Sequence, residues 1–98
     1  MATVQSEHIA LTIEDRILRI AFNRPEKKNA ITREMYATMA AAISESNANP
    51  EIRVILFEGT DGCFTSGNDL KDFMGAPSTG SDSPVGQFLH AVATAQKP

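Results

Sequence analysis

The stretch Cys63–Phe73, CFTSGNDLKDF, directly follows the apolar run IRVILFEG. The position just beyond the carboxyl end of a buried strand is where open α/β folds place ligands. Small residues at Thr65, Ser66 and Gly67 let the main chain come close to a ligand. Amide N–H groups exposed there, especially at the start of the helical turn NDLKDF, can stabilise a developing oxyanion. Upstream, Arg24, Lys27 and Lys28 form the chain's dense basic cluster, which either meets phosphates or is a solvated loop.

The side chains offer less. Gly59, Gly62 and Gly67 match neither the phosphate-cradling nor the dinucleotide glycine spacing. With Asp61, the first two read as turn residues. DGCFTSGND lacks the alternating acids of a calcium loop, and Ser66 lacks the G-x-S-x-G frame of a nucleophile elbow. Cys63 has no histidine close to it in sequence and reads as a buried, inert thiol. His8 and His90 read as ordinary strand and helix residues, and no pair has metal-ligand spacing. What remains is backbone chemistry.

The elements that must position this loop follow from periodicity. Ile9, Leu11 and Ile13 alternate with Ala10 and Thr12, as in a half-buried strand. After Glu14-Asp15, a second strand carries Ile17, Leu18, Ile20 and Phe22, so an antiparallel hairpin is expected, although Glu-Asp is not a favoured two-residue turn. Pro25 stops that strand. Thr32 is the expected N-cap of a helix running to about Asn47, with Met35, Met39, Ala42 and Ile43 on one face as core residues. The consecutive apolar residues within Ile52–Phe57 predict a strand covered on both faces. Strand, helix and strand then make a right-handed crossover with a parallel pair. Gly75 to Gly86 is expected to be a flexible loop. Helical spacing returns at Val85, Phe88, Leu89 and Val92.

Composition limits the function. The chain has 98 residues, 42% of them hydrophobic, and a net charge of −3, ordinary values for a soluble globular protein, here one α/β unit by its order of strands and helix. An acidic balance argues against nucleic acid as a partner. No run approaches the roughly 20 apolar residues of a membrane span, and the N-terminus lacks the pattern of a secretory signal. The lone Cys63 favours a reducing compartment, the cytoplasm. A parallel pair with two helices leaves a sheet edge and face to cover, so residues 1–98 are expected to be the first part of a larger core domain.

Two motifs in tandem carry a resemblance. FNRPEKKNAI, a strand, and then CFTSGNDLKDF together resemble the N-terminal half of the crotonase superfamily, the enoyl-CoA hydratase/isomerase family. The family pattern N-R-P-x-x-x-N-A/S is met by Asn23, Arg24, Pro25, Asn29 and Ala30. Its second pattern, [AS]-G-x-D-[LIF], is met by Ser66, Gly67, Asn68, Asp69 and Leu70.

The resemblance implies a crotonase-like ββα spiral, incomplete in this chain, assembled as homotrimers or dimers of trimers. It implies that the backbone N–H of Asn68 is one of two oxyanion-hole donors, and that Asp69 shapes the loop. Substrate-binding roles fall to Lys28, Ala30, Ser66, Gly67, Asn68, Asp69 and Leu70. Leu70 would line the acyl channel, and Lys28 to Ala30 would meet the adenosine-phosphate end of coenzyme A. Coenzyme A is then part of the substrate, with no separate cofactor and no metal. The second donor and the acid/base glutamates would lie beyond Pro98, so the chain alone is expected to be inactive. The SGNDL and NRPEKKNAI forms lean towards the isomerases. A non-catalytic acyl-CoA-binding or subunit-interaction module of the same fold is the alternative.

Overall fold

The computed structural model describes residues 6–60, 62–74 and 83–98. Alternation builds the hairpin: β1 (Ile9–Glu14) pairs antiparallel with β2 (Ile17–Phe22). Its turn is Asp15–Arg16, one residue later than expected, because Glu14 still pairs with Ile17. Both turn residues take positive φ, 53° and 65°, the twist that a two-residue hairpin requires. Arg16 is held by a guanidinium hydrogen bond to the Pro50 carbonyl at 3.1 Å.

A 3-10 turn at Pro25–Lys27 leads to α1 (Arg33–Ser46). The Thr32 hydroxyl caps α1 by accepting from the Met35 N–H at 3.2 Å. In return the Met35 sulfur accepts from the Thr32 N–H at 3.4 Å, taking the place a carboxylate usually fills in a capping box. β3 (Val54–Glu58) then pairs parallel to β2, so the sheet order is β1-β2-β3. Short α2 (Leu70–Met74) and α3 (Pro84–Thr94) follow.

Register places Ile9, Leu11, Leu18, Ile20, Phe22, Ile55 and Phe57 on one sheet face. That face and the buried side of α1, with Met35, Met39 and Ile43, form the core, which Ile31, Ile52 and Ala91 complete. Burying each such side chain stabilises the fold by about 1.5–3 kcal/mol.

Two expectations need correction, the covering of β3 and the end of the Gly75–Gly86 loop. β3 is not covered on both faces among the described residues: Val54 and Leu56 are 41% and 38% exposed on the side away from α1. α3 turns Ala91 and Phe88 inward but leaves Leu89 and Val92 exposed. Its N-cap is Ser83, whose hydroxyl accepts from the Gly86 N–H, so Gly86 belongs to the helix. The rest of the Gly75–Gly86 loop lies outside the described residues.

After α3 the chain runs along the free edge of β3, where the Ile55 N–H donates to the Pro98 carbonyl at 2.8 Å. Lys97 satisfies the carbonyls of Asn49 and Ile52 at 3.1 and 2.7 Å.

One buried group is unmatched. Thr38 is fully buried in α1, and its hydroxyl has no hydrogen-bond partner among the described residues. Removing an unpaired buried hydroxyl while keeping its shape relieves a desolvation penalty. Thr38→Val should therefore raise stability by about 1 kcal/mol in chemical denaturation, and a loss of that size would show the hydroxyl to be satisfied.

Candidate active site

The loop after β3 is fastened to the loop after β2. Asn29, fully buried, is the fastener. Its Nδ2 donates to the carbonyls of Cys63 and Phe64 at 2.9 and 3.2 Å. Its Oδ1 accepts from the Arg24 N–H at 2.9 Å and the Thr60 hydroxyl at 3.3 Å. These bonds use both amide hydrogens and both carbonyl lone pairs. Aspartate, which has no donor when ionised, cannot reproduce them.

Main-chain bonds continue the seam. The Ser66 N–H donates to the Lys28 carbonyl at 3.1 Å, and the Thr65 hydroxyl donates to the Asn29 carbonyl at 2.7 Å. Lys28 and Asn29 take positive φ, 52° and 58°, a region that costs roughly 1–2 kcal/mol for a side chain such as lysine and less for asparagine, which visits it readily. The bonds to their carbonyls offset that strain. Gly59 permits the close return: a Cβ there would sit 2.0 Å from the Cys63 carbonyl oxygen.

Arg24 closes the other side. Its Nη1 donates to Asp69 Oδ2 at 2.6 Å and to the Ala30 carbonyl at 3.1 Å. This guanidinium is largely buried and committed, so Arg24 leaves the basic cluster expected to meet phosphates; Lys27 and Lys28 remain exposed. Asp69 Oδ1 accepts from the Asp72 N–H at 3.0 Å and so caps α2. Asp72 in turn accepts from the N–H and Nε of Arg33, at 2.9 and 3.1 Å, at the start of α1.

Ile31 then bridges to Asn68 in parallel register. Its N–H donates to the Gly67 carbonyl and its carbonyl accepts from the Asp69 N–H, both at 2.8 Å. In a parallel bridge one residue binds the two neighbours of its partner, and the partner's own groups point the other way. The Asn68 N–H accordingly donates to no group among the described residues. Gly67 makes this crank possible with φ 102°.

Lys28, Ala30, Ser66, Gly67, Asn68 and Asp69 are thus brought together in one seam. Leu70 lies beside it with its side chain 75% exposed. Cys63, expected to be buried, is only half-buried; its Sγ lies 3.5 Å from the Lys28 carbonyl. Among the described residues no cluster of three metal-ligating side chains occurs, and no helix is long and apolar enough to cross a membrane. The fastening roles of Asn29 and Arg24 had no local signal in the sequence. The sole hint was two opposite charges, Arg24 and Asp69, one in each motif.

A family model described as enoyl-CoA hydratase/isomerase matches residues 12–98. The chain belongs to that family, within the crotonase superfamily. It is 36% identical over 93 residues to enoyl-CoA delta isomerase 3, peroxisomal, of Mus musculus, covering 95% of this chain and 26% of that protein. It is 40% identical over 74 residues to enoyl-CoA delta isomerase 2 of Homo sapiens, covering 76% of this chain and 18% of the relative. Among solved structures, Pseudomonas aeruginosa OdaA superposes with a TM-score of 0.91 at 46% identity, over 95% of this chain and 38% of that one. The chain therefore spans about a quarter or less of the length of these curated relatives, and carries part of a crotonase fold.

The seam has a pH signature. Hydrogen bonds from the Asp72 N–H and the Arg24 guanidinium hold the Asp69 carboxyl below its usual range. Partial desolvation pushes Asp72 upward, but the hydrogen bonds and charge of Arg33 together outweigh it and keep that carboxyl low as well. A carboxylate with a depressed folded pKa contributes stability above its unfolded pKa, and that contribution is lost as pH falls through the folded value. Denaturation midpoints should hold steady above about pH 5 and drop below about pH 4. Asp69→Asn combined with Asp72→Asn should flatten that acid limb; an unchanged limb would contradict these assignments.

Proposed function

We propose that the protein carrying this chain acts on enoyl-CoA thioesters as a hydratase or double-bond isomerase, with the Asn68 N–H as one of two oxyanion donors. One observation carries the reading: among the described residues the Asn68 N–H is left without an acceptor, while Ile31 fixes both of its neighbours. Such a preorganised donor costs no reorganisation when charge develops on the thioester oxygen. As an α-proton is removed, or a conjugated double bond is attacked, that oxygen takes up enolate charge and the N–H stabilises it.

Lys28, Ala30, Ser66, Gly67, Asp69 and Leu70 surround the substrate in this reading, with exposed Lys28 towards the phosphates of coenzyme A and exposed Leu70 towards the acyl chain. Coenzyme A enters as part of the substrate. The second donor and the acid/base groups come from outside residues 1–98. Isomerisation between 3-enoyl and 2-enoyl thioesters is favoured over hydration by the names of the mouse and human relatives. A homotrimeric assembly and a cytoplasmic location belong to the same proposal. The exposed apolar residues Val54, Leu56, Leu89 and Val92 leave surface for such an assembly to cover.

Proline at position 68 removes the N–H together with the Asn68 side chain and fixes φ there, so Asn68→Ala, which keeps the N–H, is the control. Asn68→Pro should lower kcat on a 3-enoyl-CoA or 2-enoyl-CoA about 10²- to 10³-fold, the usual effect of losing one oxyanion donor. Steady-state assays of the protein that carries residues 1–98 check this. Wild-type turnover in a folded Asn68→Pro variant would reject the donor role. Binding of acyl-CoA without turnover in the parent would favour a non-catalytic module instead.

A further inference from the structure

Asn68 has a second attachment, made by its side chain. From the first turn of α1, the Tyr36 hydroxyl donates to Asn68 Oδ1 at 2.5 Å. The Tyr36 ring is itself held in place: it meets Phe73 of α2 edge-on with centroids 6.2 Å apart, and Phe88 of α3 tilted at 5.2 Å. Aromatic pairs in this range are each worth about 0.5–1.5 kcal/mol beyond area burial. The neighbouring residue Met35 is fully buried, which anchors that turn of the helix.

This contact answers a mechanical problem. The peptide that carries the Asn68 N–H follows Gly67, which has no side chain to restrict rotation and stands at φ 102°. Ile31 fixes the Gly67 carbonyl and the Asp69 N–H, on either side of Asn68. The Asn68 side chain is exposed and, without a partner, would swing freely and let its Cα rock. A hydroxyl fixed to α1 removes that freedom.

We infer that Tyr36 is a positioning residue, holding the Asn68 N–H in the orientation that meets the thioester oxygen by fixing the Asn68 side chain. The inference rests on the proposed donor role of that N–H. Tyr36 keeps its donor across the neutral range, since partial burial raises its pKa above the ordinary tyrosine value. The two aromatic contacts extend the same constraint to α2 and α3, so Tyr36 links three helices to one amide.

Tyr36→Phe keeps the ring and removes the hydroxyl. In the protein carrying residues 1–98, kcat on enoyl-CoA should fall about five- to tenfold with KM changed less than about twofold, the size of one hydrogen bond expressed in the transition state, while the bonds from Ile31 keep the Gly67–Asn68 peptide in the seam. Asn68→Ala should cost a similar amount, and the double variant no more than either single one, because both remove one link. The melting temperature should stay close to that of the parent. A lowered melting temperature with unchanged kcat, or additive losses in the double variant, would overturn the positioning role. An activity-independent measurement separates this from the donor reading: the ¹⁵N order parameter of the Asn68 amide should fall below the roughly 0.85 of rigid backbone in Tyr36→Phe. That fall in a protein that turns over no enoyl-CoA supports the restraint and rejects only the donor reading. An unchanged order parameter rejects the restraint.

Discussion

Asn29 commits every hydrogen-bonding site of its carboxamide to two segments that lie far apart in sequence, and its burial makes each of those bonds costly to lose. An amide without water has no alternative partners, so it holds the loop after β2 and the loop after β3 in one relative position. The Arg24–Asp69 pair and the bridge from Ile31 add to the seam but depend on the same approach. Losing the carboxamide would orphan the Arg24 N–H and the Phe64 carbonyl at once, while the Cys63 carbonyl would keep only the Thr60 N–H, and each buried unsatisfied group costs about 1–3 kcal/mol.

The hairpin, α1 and β3 set this seam in place. β2 lies in the middle of the sheet and delivers Arg24 to Ala30 at its carboxyl end. β3 runs parallel to it and delivers Gly59 to Asn68 at the same end. The parallel register is therefore what makes the two motifs neighbours. α1 begins straight after Ile31 and brings Tyr36 and Arg33 to the same place, where they bind Asn68 and Asp72. Strain at Lys28 and Asn29 is concentrated at this junction, as backbone strain commonly is at functional sites.

Much of the fold could be read from the chain because its signals are local. Alternation in Ile9, Leu11 and Ile13, the helical spacing of Met35, Met39 and Ile43, and the Thr32 cap each depend on a few adjacent residues. The covering of β3 was misjudged for the opposite reason: four consecutive apolar residues report that a strand is covered on both faces, not which part of a chain covers it. The site was legible at the level of which loop matters, through small residues after a strand and through the paired motifs. How the loop is held was not, since Asn29 bonds residues 34 and 35 positions away and Arg24 one 45 positions away. Arg24 in a run with Lys27 and Lys28 looks like a phosphate contact until its partner is located in space.

The seam binds the amides on either side of Asn68 and leaves the Asn68 N–H available among the described residues. Residue-resolved amide hydrogen exchange measures this directly. Exchange should be slow at Ile31, Ser66 and Asp69 and near-intrinsic at Asn68, with protection appearing at Asn68 when an acyl-CoA thioester is added. Protection at Asn68 in the ligand-free protein, or fast exchange at Ile31 and Asp69, would contradict it.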